Sequence, residues 1–208
     1  MFALMFVVKF GGSLIDCARD VVSDLVAYAD KSDRCILLVP GGGIFADMVR
    51  NVDARMHLSS DVSHWMALLA MEQYGLLLCD GTGASSVRGK PGGTGVFVLL
   101  PYHLFCMEDC MKQHSWDVTG DTIAAWIANE YKSDFIKATD VQGIYIKGDV
   151  VEEMCASKLP GLDTCIDRAL PDFLLTNNLA CRIVCGCSAE PIITAIEQDC
   201  GGTLIKSC

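Results

Sequence analysis

The sequence MFVVKFGGS at residues 5–13 is an apolar run that ends in a pair of glycines. Such a run is typical of a buried strand, and apolar residues at helical spacing over 21–29 predict a helix after it. The same order follows at once, with an apolar strand at 35–39, a Pro-Gly-Gly-Gly turn at 40–43 and a helix at 44–55. Two consecutive strand–helix units predict an α/β fold, a three-layer α/β/α sandwich with a mainly parallel central sheet.

The rest of the chain continues to alternate between helical and extended patterns. We predict helices at 60–74, 121–131, 163–178 and 191–198, strands at 76–79, 96–100, 134–138, 182–185 and 203–206, and extended chain at 143–146. The glycine-rich residues 81–95 predict a surface loop. Because no repeat or linker interrupts the pattern, we expect one domain over residues 1–208.

The composition restricts the classes of partner. The chain has 208 residues, of which 51% are hydrophobic, so it can bury a full core. Its 16 basic and 26 acidic residues give a net charge of −10, which argues against non-specific binding to nucleic acid or anionic membranes. No apolar run approaches the roughly 20 residues of a membrane-spanning helix, and no secretory signal precedes the first strand. We therefore expect a cytoplasmic protein whose partners are small molecules or further subunits.

The cysteines do not suggest a metal site. Twelve are scattered through apolar stretches, and the paired C-x-x-C pattern that binds zinc is absent. The group most suggestive of a cluster contains Cys106, Cys110, Cys181, Cys185 and Cys187. We expect reduced thiols that pack as small apolar side chains.

The two glycine turns are candidate anion sites. A turn between the carboxyl end of a strand and a helix leaves backbone N–H groups free, and the helix dipole favours a negative charge there. Lys9 ends the first predicted strand and would add an ammonium group beside Gly11 and Gly12. A tight turn without a ligand is the structural alternative for each turn alone. The P-loop motif G-x-x-x-x-G-K-[ST] is absent, so a phosphate site here would use another scaffold.

Five motifs occur in the order found in the amino acid kinase superfamily, and the chain resembles that family over nearly its whole length. The motifs are Lys9-Phe10-Gly11-Gly12-Ser13-Leu14, Pro40-Gly41-Gly42-Gly43, Asp121-Thr122-Ile123-Ala124-Ala125, Lys137-Ala138-Thr139-Asp140-Val141-Gln142-Gly143-Ile144-Tyr145 and Gly202-Thr203-Leu204-Ile205. The resemblance implies one amino acid kinase domain over residues 1–208, with an acceptor-binding N-terminal part and an ATP-binding C-terminal part. It also implies ATP and Mg²⁺ as cofactors and assembly into homo-oligomers.

Within the superfamily, residues 43–50, 64–67, 71–75 and 116–121 most resemble the archaeal kinases of methanofuran biosynthesis. That resemblance implies a phosphate monoester as acceptor and a diphosphate as product. Uridylate kinase and isopentenyl phosphate kinase are the alternatives within the same reaction class. A non-catalytic protein that stores molybdate or tungstate with ATP is the alternative from another class.

The resemblance implies a role for each residue that matches a family motif. Lys9 would bridge the donor and acceptor phosphates, and Asp121 would orient that lysine or join the magnesium shell. The nucleotide would contact Gly11, Gly12, Ser13, Lys137, Thr139, Asp140, Gly143 and Tyr145. The acceptor would contact Gly41, Gly42 and Gly43.

Some assignments rest on position and keep a structural alternative. Arg50 and His64 follow the second glycine turn and are candidate acceptor ligands, although a solvated helix face and a packing role are equally open. Asp117 could join the metal shell or be a polar loop residue, and Asp121 could serve only as a helix N-cap. A second catalytic lysine found in many family members is missing from residues 164–169, so its charge must come from the metal or from another cation, namely Lys137, Lys158 or Arg168.

Overall fold

The computed structural model describes residues 4–107 and 115–208. Within these ranges the strands are β1 (Met5–Phe10), β2 (Cys35–Pro40), β3 (Ser85–Val87), β4 (Gly95–Leu99), β5 (Asp134–Thr139), β6 (Tyr145–Ile146), β7 (Asp149–Val150), β8 (Glu153–Cys155), β9 (Cys181–Cys185) and β10 (Thr203–Lys206). The helices are α1 (Ala18–Ser32), α2 (Gly43–Met56), α3 (Ser60–Cys79), α4 (Pro101–Met107), α5 (Gly120–Tyr131), α6 (Leu170–Asn177) and α7 (Ala189–Gln198).

The central sheet is mainly parallel, as predicted. Its strand order is β3-β4-β2-β1-β5-β9-β10-β8, while β6 and β7 form a separate hairpin. Strands β2, β1, β5 and β9 run parallel to one another, and the antiparallel pair is β9 with β10. The carboxyl ends of β1, β2, β5 and β9 therefore meet at one edge of the sheet.

Helices cover both faces of the sheet. Successive side chains of a strand point to opposite faces, and in β1 Val7 belongs to one core while Phe6 and Val8 belong to the other. The first core includes residues of α5 and α6, and the second includes residues of α1 and α7. This arrangement confirms the predicted three-layer α/β/α fold.

The prediction of a strand at 76–79 is wrong, because these residues form the last turn of α3. Apolar residues lie on both sides of this helix: Tyr74 and Leu78 are buried, whereas Leu69 and Leu76 are exposed. A short apolar run of this kind has no helical period by which it could be told from a strand. Although α3 is long and apolar, no helix among the described residues meets the length and hydropathy of a membrane span.

The helix predicted at 163–178 is shorter in the structure, where α6 begins at Leu170. Pro171 lies in the first turn of α6, a position that suits proline because the first helical amides lack intrahelical partners. The Leu170 amide donates to Asp167 Oδ1 at 2.9 Å, so the Asp167 side chain caps the start of the helix. Residues 163–169 therefore form a loop at the carboxyl edge of the sheet.

The expectation that all cysteines are free thiols is wrong for one pair, because Cys155 and Cys208 form a disulfide. The pairing follows from the sheet, since β8 pairs in parallel with β10 and places Cys155 beside Lys206. Of the remaining cysteines in the described residues, Cys35 and Cys181 are buried as expected, whereas Cys106, Cys187 and Cys200 are exposed. Cys110 lies outside the described residues.

Candidate active site

The two glycine turns touch each other at the carboxyl ends of β1 and β2. A Cβ atom on Gly12 would lie 2.3 Å from the Cα and N atoms of Gly43, which leaves no room for any side chain. Gly43 itself has φ of +50°, a left-handed conformation that glycine adopts without strain. The two turns can approach this closely only because both are glycine.

The backbone amides of the turns fall into two groups. The first glycine of each turn extends the sheet, since the Gly11 and Gly41 amides donate to strand carbonyls at 3.0 and 2.8 Å. Among the described residues, the amides of Gly12, Gly42 and Gly43 donate no hydrogen bond. The Gly42 and Gly43 amides lie at the N-terminus of α2, where the helix dipole favours an anion, and Gly12 packs against Gly43. The turns therefore offer backbone donors to a phosphate, although the Gly11 and Gly41 amides are already occupied.

Beside the turns, one buried carboxylate pairs with two lysines. Asp121, in the first turn of α5, lies 2.9 Å from Lys9 Nζ through Oδ1 and 2.6 Å from Lys137 Nζ through Oδ2. Lys9 and Lys137 are register partners on the adjacent strands β1 and β5. The Lys137 side chain is only 2% exposed, and that of Lys9 is 12% exposed. The three groups carry a net charge of +1 at the sheet edge.

The pKa values of Asp121 and Lys9 are shifted below their ordinary values, whereas that of Lys137 is shifted above it. Burial would raise the pKa of Asp121, but the charges of Lys9 and Lys137 outweigh it and hold that pKa well below its ordinary value. Burial lowers the pKa of Lys9, and the neighbouring Lys137 lowers it further. Burial also opposes the charge of Lys137, but Asp121 outweighs it and raises the pKa of that lysine. Asp121 is therefore ionised at neutral pH, and Lys9 is the lysine that loses its proton more readily.

Asp167, which has no role in the sequence-based prediction, fixes the position of Asp121. Its backbone amide donates to Asp121 Oδ2 at 3.1 Å. Its carboxylate accepts from the amides of Thr119 and Thr122, both at 3.0 Å, and from both threonine hydroxyl groups. These bonds satisfy orphan donors at the N-terminus of α5. Asp167 thus connects the loop before α6 to the helix that carries Asp121.

A cavity of about 660 Å³ lies on one side of Lys9. We call it the apolar cavity, because most of its surface is formed by aliphatic and aromatic side chains. Its walls are formed by both glycine turns, one face of α2, the first part of α3 and the chain before α5. The lining residues include Gly41, Gly42, Gly43, Ile44, Asp47, Arg50, Asp53, Leu58, Ser63, His64, Leu68, Met71, Trp116, Val118 and Ile123.

A second cavity of about 610 Å³ lies on the other side of Lys9 and is more open. We call it the polar cavity, because Asp121, Lys137 and Thr139 lie in its wall. The remaining lining residues are Gly11, Gly12, Ser13, Trp116, Asp117, Thr119, Thr164, Cys165, Ile166, Asp167, Arg168 and Lys9 itself. Lys9, Gly12 and Ser13 line both cavities, so one ammonium group faces two potential binding sites.

Comparison with known proteins places the chain in a family. The sequence model of the amino acid kinase family matches residues 5–161. This chain belongs to the amino acid kinase family. As a member, it is a phosphotransferase. The family match contains the glycine turns, Asp121, and the strand that carries Lys137.

Named relatives of this chain include one curated protein and several solved structures. The [5-(aminomethyl)furan-3-yl]methyl phosphate kinase of Methanocaldococcus jannaschii is 29% identical over 93% of each chain. Uridylate kinase from Archaeoglobus fulgidus matches with a TM-score of 0.70 at 20% identity, covering 99% of this chain and all of that one. UMP kinase from Ureaplasma parvum matches with a TM-score of 0.71 at 14% identity, covering 98% and 99%. At these identities the solved structures support the fold alone.

The predicted nucleotide-binding residues are only partly brought together. Gly11, Gly12, Ser13, Lys137 and Thr139 line the polar cavity. Asp140 lies next to this group, because its Oδ1 accepts from the hydroxyl groups of both Ser13 and Thr139 at 3.0 Å.

Gly143 and Tyr145 line neither cavity. A Cβ on Gly143 would lie 2.5 Å from Thr203 Oγ1, so this glycine is required for packing against β10. The Tyr145 side chain is 47% exposed on β6. A nucleotide contact by either residue stays a prediction.

The predicted acceptor residues all line the apolar cavity. Gly41, Gly42 and Gly43 lie at its Lys9 end, and His64 is buried in its wall, with its ring against Trp65. Arg50 lies roughly 10 Å along α2 from Gly43 and pairs with Asp47 at 2.7 Å. The geometry therefore separates Arg50 from the glycine turn where a phosphate is expected.

Asp117, the predicted metal ligand, lines the polar cavity and is 61% exposed, with Arg168 Nη1 at 3.6 Å. The described residues contain no group of three or more His, Cys, Asp or Glu side chains arranged to hold a metal ion. Mg²⁺ in phosphoryl-transfer sites is commonly held by one or two carboxylates together with substrate phosphates. Because Asp121 and Asp167 are occupied by protein donors, Asp117 is the carboxylate of this cavity that fits such a role.

Proposed function

We propose that this kinase transfers the terminal phosphoryl group of ATP to a small phosphate monoester. [5-(Aminomethyl)furan-3-yl]methyl phosphate is the proposed acceptor and its diphosphate the product. The observation that carries the proposal is that the apolar and polar cavities meet at Lys9 and Gly12. The apolar cavity can hold an acceptor with an apolar body, and the polar cavity can hold a nucleoside triphosphate. The name of the relative that is 29% identical supports the choice of acceptor.

The chain's own groups can perform this transfer without a general base. An oxygen of the acceptor phosphate forms a bond to the terminal phosphorus of ATP, and the bond from that phosphorus to the bridging oxygen of ADP breaks. The Lys9 ammonium and the free amides of Gly12, Gly42 and Gly43 would stabilise charge on the transferred group. An acceptor phosphate in its dianionic form has no proton to lose, so a base is not required.

Lys137 is the proposed substitute for the second catalytic lysine of the family. Its ammonium lines the polar cavity and is fixed by Asp121 at 2.6 Å. Arg168 lines the same cavity with a side chain that is 89% exposed, so it can move onto a bound phosphate. Bound Mg²⁺ would neutralise part of the phosphate charge, and Asp117 would be its protein ligand. Lys158 is exposed and lines neither cavity.

The two proposed binding sites are formed by different parts of the chain. The apolar cavity, mostly lined by residues 41–71, would bind the acceptor, and the polar cavity, mostly lined by residues 116–168, would bind ATP. The uridylate kinase structures keep UMP as an alternative acceptor because they share the fold. Isopentenyl phosphate is the third acceptor to be compared, and molybdate storage is the alternative without turnover.

The proposal is tested by coupled ADP formation with a panel of acceptors. Purified protein with ATP and Mg²⁺ is incubated with [5-(aminomethyl)furan-3-yl]methyl phosphate (the furan phosphate), UMP, isopentenyl phosphate or molybdate. We expect ADP formation that depends on the acceptor, with kcat/KM for the furan phosphate at least tenfold above that for the others. A preference for UMP would identify a uridylate kinase, and molybdate uptake without ADP formation would support storage.

The lowered pKa of Lys9 predicts an alkaline limit to activity. Only the ammonium form of Lys9 can stabilise the transferred phosphate, so the rate should fall as pH rises through the pKa of this lysine, below the ordinary value of 10.5. The measurement is the initial rate from pH 6 to 11 at subsaturating ATP and acceptor. In Lys9→Arg the limit should move upward, because a guanidinium keeps its proton over this range. An unchanged limit in Lys9→Arg would assign the titration to another group, such as the acceptor's own amine.

A further inference from the structure

The apolar cavity carries, along α2 and at Trp116, a group of polar side chains that the transfer reaction does not require. Asp47, Arg50 and Asp53 recur at intervals of three residues along α2 and line the cavity, and Trp116 lies across from them. We call these four residues the rim cluster. Residues three apart are neighbours on a helix surface, so Arg50 lies next to both Asp47 and Asp53, and all three line the same cavity.

The rim cluster has an excess of negative charge. Arg50 Nη1 pairs with Asp47 Oδ1 at 2.7 Å, and Trp116 Nε1 donates to Asp53 Oδ2 at 2.8 Å. The Arg50 guanidinium also lies 5.0 Å from the centre of the Trp116 ring. One cation and two carboxylates leave a net charge of −1. Within the part of the chain that the structure describes, the second oxygen of each carboxylate accepts no hydrogen bond.

Ser63 places a further polar side chain in the wall of this cavity. It lines the apolar cavity, is 4% exposed, and its Oγ has no hydrogen-bond partner among the described residues. Buried hydroxyl groups are nearly always hydrogen-bonded, because water is lost on burial and must be replaced. The hydroxyl group of Ser63 can accept or donate a bond to a ligand.

The positions of Asp47 and Asp53 along α2 limit the distance between the phosphate and the second polar group of a bound ligand. Asp47 lies roughly 6 Å and Asp53 roughly 15 Å along the helix axis from Gly43, where the glycine turns offer their amides. A ligand with its phosphate at the turns would place a short second substituent between these two carboxylates. The wall of the same cavity also includes the buried apolar side chains of Leu68 and Met71.

We propose that the rim cluster recognises an ammonium group of the acceptor, with Asp53 and Asp47 as its anionic partners. The substrate class is then a phosphate monoester on a small apolar or aromatic body with a primary amine at the other end. Arg50 holds Asp47, and Trp116 orients Asp53 through its indole N–H. The inference rests on the proposed function and specifies which feature of the acceptor is selected. A neutral or nucleobase acceptor would leave the negative charge of the rim cluster uncompensated.

The test compares two acceptors that differ in one group. They are [5-(aminomethyl)furan-3-yl]methyl phosphate and the analogue with hydroxymethyl in place of aminomethyl. The quantity measured is the ratio of their kcat/KM values in coupled ADP formation. We expect a ratio of about ten or more in favour of the amine, since a hydrogen bond between charged groups typically contributes that much.

Three variants locate the origin of this ratio. Asp53→Asn and Asp47→Asn keep the side-chain volume, and the new amide oxygen can still accept from Trp116 or Arg50, but the charge is lost. Each should lower the ratio severalfold, and the double variant should bring it near one. Asp24→Asn, on the exposed face of α1, is the matched control and should leave the ratio unchanged.

The possible outcomes separate this inference from the proposed function. Turnover of both compounds with a wild-type ratio near one, or a ratio unchanged in both rim variants, would overturn the ammonium site and leave the kinase proposal standing. If neither compound is phosphorylated, the proposed acceptor is wrong, and calorimetric titration of the same two compounds still decides the inference. Tighter binding of the amine that is lost in Asp53→Asn would support it, and equal binding would overturn it.

Discussion

Replacing Lys9 by alanine should lower kcat about a thousandfold, which is the size of effect expected when a preorganised donor to a transferring group is removed. Lys9 is the cation shared by the apolar and polar cavities, and Lys137 cannot substitute for it because Lys137 lines only the polar cavity. The rate is measured by coupled ADP formation with saturating ATP and furan phosphate.

The same variant should fold normally, and this separates a catalytic role from a structural one. Burial lowers the pKa of Lys9, so its charged form is disfavoured in the folded state and lowers stability below that pKa. Removing the ammonium removes this cost, and Asp121 keeps Lys137 as its partner although it loses the charge of Lys9. The melting temperature should equal or exceed that of the wild type, and Lys31→Ala, on the exposed surface of α1, should change neither property. Full activity in Lys9→Ala would place the chemistry elsewhere.

Replacing Asp121 by asparagine should impair both stability and activity. The substitution leaves Lys9 and Lys137 buried together without an anion, and breaking a buried ion pair in this way typically costs about 3–5 kcal/mol of the free energy of unfolding. Urea denaturation at pH 7 measures this loss. Because the pKa of Asp121 is held below its ordinary value of 3.8, its contribution to stability is present above that value and is lost as pH falls through the lowered pKa.

The matched control is Asp134→Asn, at the exposed start of β5 and away from the sheet edge. An exposed substitution of this type should stay within about 0.5 kcal/mol of the wild type. The difference between the Asp121→Asn and wild-type stabilities should be constant near neutral pH and shrink only in strong acid, as the pH falls through the lowered pKa of Asp121. A variant as stable as the wild type at pH 7 would contradict the proposed role of the triad.

The parts of the fold that sequence reasoning could predict depend on local pattern. The apolar strands β1 and β2 and their glycine turns are continuous in the chain, so both the parallel sheet and the anion-binding turns could be inferred from them. The strand predicted at 76–79 is wrong and the helix predicted at 163–178 begins only at residue 170, because tertiary context decides both. An apolar segment at the end of α3 has no distinguishing period, and the loop before α6 is held by the contacts of Asp167 with α5.

The candidate site could be predicted only as far as the family motifs extend. Lys9, Asp121 and Lys137 lie in those motifs, and the structure brings them together. Asp167 could not be found in this way, because its partners lie more than 40 residues earlier and no local pattern connects them. The disulfide of Cys155 was missed for the same reason, since it depends on the pairing of β8 with β10.

The most direct test of the central claim is a crystal structure with a non-hydrolysable ATP analogue, Mg²⁺ and the furan phosphate bound together. We predict the nucleotide in the polar cavity and the monoester in the apolar cavity. The terminal phosphate of the nucleotide and the acceptor phosphate should both lie within hydrogen-bonding distance of Lys9 Nζ. Nucleotide bound away from Lys9 and Gly12, or both ligands on the same side of Lys9, would contradict the assignment of the two cavities.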